Sequence, residues 1–474
     1  MTRHARRIRR HRAGPAVLAL ALVLGALGAT TLAGVDLLPE RTAVPVAPTV
    51  RAQAAADGDA AGPADPAPAE EPAPDEGAGP GGPRDDGTAP EAAPDEPATG
   101  EPTAPPDERR EGADAGVPLT LVAAGDVLLH TPVLASARTG EGYDFTPLLA
   151  PLRPWVAGAD LALCHLEVPV APEGTAPSGF PLFGAPAQIA RDLRANGWDG
   201  CSTASNHSLD RGLDGVVRTL DALDEAGLGH VGTARTAEEA AAPQVYALER
   251  SGRTVRVAHL AATYGTNGVP VPASAPWAVQ RIDVGRLVEQ ARLARESGAD
   301  LVLASVHCCT EYVSEPTAEQ VRIAEALGAS AVVDLLIGHH AHVPQPLRRV
   351  PGGPGGDGMW VAYGLGNMIS NQDAACCTAR TDSGLVLTAT ATVPPTGPVR
   401  VTGAEWTALT VERTGGHRVH PLPSTRLDRP AGVLGAPEGA VRHARVCEVM
   451  GSDAPERVTP ATASGPAPRV LPRP

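Results

Sequence analysis

Hydrophobic and polar positions divide the chain into three zones. Residues 15–35, PAVLALALVLGALGATTLAGV, run without a charge until Asp36. Residues 40–115 show no apolar pattern. From Val117 onward short apolar runs recur: LTLVAAGD (119–126), ADLALCHLE (159–167), DGCSTASNH (199–207), VRVAHLAATYG (255–265), ADLVLASVHCCTE (299–311), VVDLLIGHHAH (332–342) and MWVAYGLGN (359–367). Runs of four to eight apolar residues bounded by polar ones predict buried parallel strands. Between them GLDGVVRTLDALDEAG (212–227) spaces Leu213, Val216, Val217, Leu220 and Leu223 at helical intervals, and DVGRLVEQARLARESG and TAEQVRIAEALG behave likewise. Strands alternating with helices predict an α/β domain with a largely parallel sheet. After Asn367 the segments SGLVLTATATV, VTGAEWTAL and LTVERTGGHRVHPLP alternate without helices between them, as antiparallel strands do. Residues 430–474 read as one helix and a Pro-rich tail.

The first two zones take their meaning from charge. The apolar stretch follows MTRHARRIRRHRAG, which carries six arginines. A basic flank (1–14) before roughly 20 apolar residues is long enough to span a bilayer. It is also somewhat long for a cleaved signal. We read 15–38 as a signal-anchor, with the arginines held in the cytoplasm and the rest outside; secretion after cleavage is the alternative. Over 51–115 there are 17 acidic residues against four arginines, so this zone carries most of the chain's net charge of −15. Such a Pro-rich acidic stretch cannot bury enough apolar surface to offset its ordering entropy. It predicts a disordered linker over 39–116. The remaining chain is near neutral, which argues against a nucleic-acid partner. The folded part then divides into a main domain at 117–425 and an extension at 426–474.

Candidate chemistry lies where the apolar runs end. In open α/β sheets ligands bind outside the carboxyl ends of strands. Here the runs end in Gly125-Asp126, His165-Leu166-Glu167, Asn206-His207, His307 with Glu311 four residues on, His340-Ala341-His342, and Gly366-Asn367. Each alone has a bland reading as a turn, cap or hydrogen-bonded residue. Together they would line one rim of one sheet. Alternate residues of an extended segment project to one side, so His340 and His342 can share a site. A mixture of carboxylate, imidazole and amide oxygen suits Mn, Fe or Zn rather than Ca. One or two such divalent ions would serve an in-line displacement.

The motifs AAGDVLL, HLEVPV, ASNHSLDRGLDGVVRTLDAL with HVGT, VHCCTEY, GHHAHVPQ and YGLGNMI resemble the CapA family of capsule and poly-γ-glutamate synthesis proteins. The resemblance covers about residues 118–390. It implies a metallophosphoesterase-like α/β/β/α sandwich. It implies metal ligation by Asp126, Glu167, Asn206, His307, His340 and His342. His207 would sit beside the metals as proton donor or phosphoryl-oxygen stabiliser, oriented by Asp210. Asn367 and Glu311 would line the pocket, and His339 would support the ligands from behind or be structural. Phosphoesterases of this fold begin with D-x-H, whereas Leu128 stands at that place here, as the capsule family generally lacks the histidine. One ion is then weakly held or absent. His165 stands where the family usually has Asn and could restore a nitrogen ligand. Cys308-Cys309 and Ala341 replace the usual residues and bear on substrate preference.

An extracytoplasmic chain permits disulfides. The vicinal pairs Cys308-Cys309 and Cys376-Cys377 predict one or two bridges between the pairs. Cys164 and Cys201 read as buried small residues or a third bridge, and Cys447 as unpaired or intermolecular. The function implied is a membrane-anchored hydrolase acting on an anionic cell-envelope polymer or its phosphorylated precursor, with other capsule-synthesis subunits as partners. The alternative is a non-catalytic polymer-binding or export factor using the same rim.

Overall fold

The computed structural model describes residues 116–140 and 142–474. The basic flank, the 15–38 segment and the linker up to residue 115 lie outside the described residues. Among the described residues no helix is long and apolar enough to cross a membrane.

In chain order the strands begin with β1 (Val117–Val127), β2 (Leu161–Leu166), β3 (Gly200–Ser202), β4 (Gly229–Val231) and β5 (Gln244–Arg250). β6 (Arg253–Thr263), β7 (Leu301–His307), β8 (Leu335–His339), β9 (Leu347–Val350) and β10 (Met359–Ala362) follow. The last are β11 (Asn367–Ile369), β12 (Ser383–Val393), β13 (Arg400–Glu412), β14 (Arg418–Pro421) and β15 (Arg469–Leu471). They form two sheets. The first runs β14-β13-β12-β1-β2-β3-β4, with β11 also paired to β1; the second runs β15-β5-β6-β7-β8-β10-β9.

Alternation along β1 explains why the sequence shows an unbroken apolar run. Leu119, Leu121 and Ala123 face the other sheet, packing with Tyr246, Val257, Leu303 and Ile337. Val122 and Ala124 face the opposite way, into a core with Leu149, Trp155 and Leu193 from the flanking helices. Both faces are buried, so both parities are apolar. The second sheet is built the same way. Its outer face, with Leu260, Val302 and Leu336, packs on the helices Val284–Glu296 and Ala318–Ala329 through Leu287, Ala291, Ile323 and Leu327. The result is helices, sheet, sheet, helices. The helix starts are locally encoded. Thr317 and Gln320 form a reciprocal capping box, and Asp283 accepts from the Arg286 amide.

One expectation needs correction. The apolar runs do not share one sheet: the first three lie in the first sheet, while 255–265, 299–311, 332–342 and the start of 359–367 lie in the second. The antiparallel hairpin β5–β6 starts the second sheet. The alternating strands after Asn367 are antiparallel, as expected, and extend the first sheet. The Pro-rich tail is also docked. The Thr407 hydroxyl donates to the Arg457 carbonyl at 2.6 Å, the Ser464 amide donates to Asp160 at 2.7 Å, and β15 adds to the edge of β5. The tail therefore straps one sheet to the other.

Asp160 is the knot in that strap. It accepts from the Thr120 amide at 2.8 Å on one oxygen and from the Arg250 guanidinium at 2.6 Å and Ser464 on the other. The Arg250 and Asp160 side chains are 1% and 0% exposed. Removing one member of a buried pair leaves an uncompensated charge. Arg250→Ala is expected to lower unfolding free energy by about 3–5 kcal/mol, read as a shifted urea midpoint; a change under about 1 kcal/mol would contradict the strap's role.

Candidate metal centre

The strand ends of the two sheets meet at one pocket. β1 delivers Asp126 beside His165 of β2 and Asn367 of β11. This needs Gly125, because a Cβ there would lie 1.9 Å from the Gly366 carbonyl oxygen. β8 passes the neighbouring chain equally closely: a Cβ on Gly338 would lie 1.8 Å from the Tyr363 carbonyl oxygen. The first sheet contributes the oxygen donors, Asp126, Glu167 and Asn206. The second contributes the imidazoles, His307, His340 and His342.

Their ligand atoms fall into overlapping groups. Glu167, His307 and His340 bring donor atoms within 4.8 Å of one another, as do Asp126, Glu167 and His342. Glu311, His340 and His342 make a third such group, on the open side. Asn206 joins through its Oδ1, 2.8 Å from His307 Nε2. Glu167 is common to the first two groups. It lies 3.9 Å from His307 Nε2 and 3.7 Å from His342 Nε2. Both its carboxylate oxygens are buried without a hydrogen-bond partner, and so is His340 Nδ1. A buried carboxylate so placed is costly unless a cation or proton completes it. These oxygens and imidazoles fit a divalent first-row metal.

The supporting contacts fix the rings. With His307 Nε2 turned toward Asn206 and Glu167, its Nδ1 is hydrogen-bonded with His165 Nε2 at 2.9 Å, and His165 Nδ1 with the Ser202 hydroxyl at 2.7 Å. Both nitrogens of His165 are thereby engaged. It buttresses His307 instead of facing the pocket, although Asp126, His165 and His307 also form a close group. His339, the last residue of β8, lies with Nδ1 3.2 Å from Asp126. Asn367 Oδ1 lies 3.1 Å from His342 Nδ1, and its amide nitrogen donates to the carbonyls of His342 and Thr381. Glu311, partly exposed, lies 3.9 Å from His342 Nε2. His207 Nδ1 is 2.8 Å from Asp210, whose same oxygen accepts from the Phe183 amide.

The H-x-H segment is not extended as expected. β8 ends at His339, and His340 and His342 take φ of +85° and +55°. Left-handed backbone costs non-glycine residues roughly 1–2 kcal/mol each. Here it is offset by the His340 amide donating to Asp126 at 3.2 Å and by the grip of Asn367 on His342. The expected bridges between the two vicinal pairs are not formed. Cys308 pairs with Cys309 and Cys376 with Cys377, each closing on its neighbour. Cys308 is buried with Val306 and Ile323, while Cys376 is exposed. Cys164 bridges Cys201 across β2 and β3, and Cys447 is left free.

Sequence reasoning passed over four residues at the mouth. Tyr264 stacks obliquely on His340 with centroids 4.6 Å apart. Asn267 accepts from the Asn206 amide at 3.2 Å. Tyr312 faces His342, and His130 stands edge-on to Phe183. Tyr264, at the end of the fourth apolar run, and Tyr312, the last residue of the VHCCTEY motif, carried a signal in their position.

Electrostatics divide the histidines. Burial pushes His340 down to about 3 and His307 well below its ordinary value, so both are neutral, as metal ligation requires. Burial also opposes a charge on His342, but Glu167 and Asp126 outweigh it and raise His342 to about 9. Burial raises Glu167 well above the carboxylate range. Asp126 moves the other way: burial would raise it, yet hydrogen bonds to His339 and His342 hold it well below.

The profile of the bacterial capsule synthesis protein PGA_cap family matches residues 120–372. The chain belongs to this family. Among curated relatives, the PGA biosynthesis protein CapA of Bacillus subtilis is 27% identical over 171 residues, covering 36% of this chain and 42% of that one. A polyglutamine synthesis accessory protein of Mycobacterium tuberculosis is 27% identical over 259 residues, covering 48% and 66%. The PGA_cap chain thus spans less than two thirds of either relative's length. Among solved structures, the NAD nucleotidase of Haemophilus influenzae aligns at TM-score 0.39 and 13% identity over 72% of this chain and 58% of that one. A calcineurin-like phosphoesterase of Bacillus subtilis aligns at 0.35 and 16% over 64% and 92%. Both scores are too low to carry a functional conclusion.

The raised His342 and Glu167 give metal uptake a sign. At neutral pH His342 holds a proton that a divalent ion must displace, and burial of the Glu167 carboxyl adds to the same demand. Affinity for Mn²⁺ is expected to strengthen as pH rises toward about 9, with protons released to buffer. Calorimetry in two buffers of different ionisation enthalpy checks this; an affinity flat with pH would contradict it.

Proposed function

We propose that this PGA_cap protein is a metal-dependent phosphoester hydrolase acting on an anionic cell-envelope polymer or its phosphorylated precursor. The observation that carries the reading is Glu167, buried with two unpartnered oxygens between His307 and His342. Glu167, Asn206, His307 and His340 would hold one ion, and Asp126, Glu167 and His342 a second. A bound divalent ion supplies Lewis-acid charge that polarises a phosphoryl oxygen and acidifies water.

The remaining work falls to the chain's own residues. The Asp210 carboxylate accepts a hydrogen bond from His207 Nδ1, which orients the ring and favours its doubly protonated form, whose Nε2–H would pass its proton to the departing oxygen. Phe183 packs edge-on against His207 at 4.8 Å and restrains the ring. Tyr264 covers His340 and limits water there. The non-catalytic alternative draws support from one observation. Leu128, two residues after Asp126, is 2% exposed within the apolar core, so no imidazole stands where D-x-H would put one.

Elemental analysis of the purified full chain separates the two readings when paired with a phosphodiester assay. Wild type is expected to retain Mn, Fe or Zn, His340→Ala to lose it, and His207→Ala to keep it while hydrolysis falls about 10²–10⁴-fold. Metal without hydrolysis would leave the binding factor; no metal would remove both. The apolar 15–38 segment further motivates membrane anchoring with the folded part outside. Full-length protein is expected in the carbonate-resistant membrane fraction and accessible to external protease; recovery in the cytosol would contradict this.

A further inference from the structure

We propose that His130, which lies outside the ligand set, is a fixed neutral hydrogen-bond donor to an anionic oxygen of the substrate, paired across Phe183 with His207. The inference rests on the phosphoester reading above.

The chain leaves β1 at Val127 and enters the helix Thr131–Ala137 directly after His130. This is four residues past Asp126, beyond the core position taken by Leu128. The His130 ring meets Phe183 edge-on, with centroids 5.3 Å apart and planes at 84°. Phe183 in turn meets His207 at 4.8 Å and 80°. Phe183 is thus a spacer between two imidazoles. The loop bearing it is tied down on both sides. Its amide donates to Asp210, and a Cβ on Gly179 would lie 2.4 Å from the Thr131 amide nitrogen, so the loop packs directly on the turn holding His130. His130 belongs to none of the four close groups of candidate ligands.

The two rings are anchored by opposite chemistry. His207 Nδ1 faces a carboxylate, which can only accept, so that nitrogen carries hydrogen. His130 Nδ1 lies 3.3 Å from the backbone nitrogen of Asn371, which can only donate. The neutral His130 ring must then carry its hydrogen on Nε2. Among the described residues nothing hydrogen-bonds to that Nε2, and the ring is partly exposed. Burial, with the imidazole of His342 nearby, pushes His130 down to about 4, against a weaker upward pull from the Leu128 backbone. His130 therefore presents an N–H without a charge throughout the neutral range. His207 exchanges protons, and His130 does not. A reaction that accumulates negative charge on oxygen and also protonates a leaving group needs one of each.

The test uses the manganese-loaded full chain and bis(p-nitrophenyl) phosphate as probe. His130→Ala is expected to lower kcat at least about 10-fold with bound manganese and melting temperature unchanged. The fold-loss should be equal at about pH 6 and pH 8. His130→Gln, whose amide can place a donor near the lost Nε2–H, is expected to recover most of the rate. Full activity in His130→Ala would overturn the proposal. So would a His130→Gln as impaired as His130→Ala, or a loss that tracks metal content, since either points to packing alone. A wild type that holds manganese but hydrolyses nothing would instead sink the phosphoester reading, and this inference with it.

Discussion

Two carboxylates with no access to solvent set the terms for the rest of the molecule. Asp126 and Glu167 are both 0% exposed, and they face the same small space. Two buried negative charges at this range cannot both persist without a compensating cation. The chain's own compensation is partial and made with protons: His342 is held charged between them, and burial pushes Glu167 toward its neutral form. Asp126 is satisfied by His339, His342 and the His340 amide, whereas the Glu167 carboxylate has no hydrogen-bond partner among the described residues. The asymmetry marks Glu167 as the group whose partner is not part of the chain.

That demand accounts for local features that would otherwise be defects. The turn at 340–342 spends conformational energy in two left-handed residues. It brings the His340 amide and the His342 ring to the same Asp126 oxygen, which no extended segment could do. Asn367 then clamps the turn from β11, using its side-chain oxygen on the ring and its amide on the carbonyl. Asp210 is shared in the same way between His207 and the loop that carries Phe183. Each polar side chain serves two elements, so the site is rigid although most of it is made of strand ends and loops.

How much of this was legible follows from what a sequence can encode locally. Strand-end positions of Asp126, Glu167, Asn206, His307, His340 and His342 were readable because a doubly buried strand is apolar until its last residue, and the exception stands out. The capping box at Thr317–Gln320 is local too. The division into two sheets came with the family resemblance and not from the apolar runs, since a parallel run looks the same in either. Nor was the turn at His340: φ is imposed by Asp126, 214 residues away in the chain. The tail reads as a linker by its prolines, yet Ser464 finds Asp160 across 304 residues. His130 was missed because its value lies in what faces it, Asn371 and Phe183, and neither is adjacent in sequence.

The division of donors between sheets has a consequence for how the centre is maintained. Oxygens come from one sheet and imidazoles from the other, so the separation of the ligands is the separation of the sheets. No single element can keep that distance. It is kept by the apolar layer of Leu121, Leu163, Val257, Leu303 and Ile337 between them, and by the tail that crosses from β13 to β5. A buried packing layer has little freedom to expand or shrink. The pocket is therefore formed before any ion arrives, and an ion joining Glu167 to the imidazoles would tie together two layers that the hydrophobic core has already brought into register.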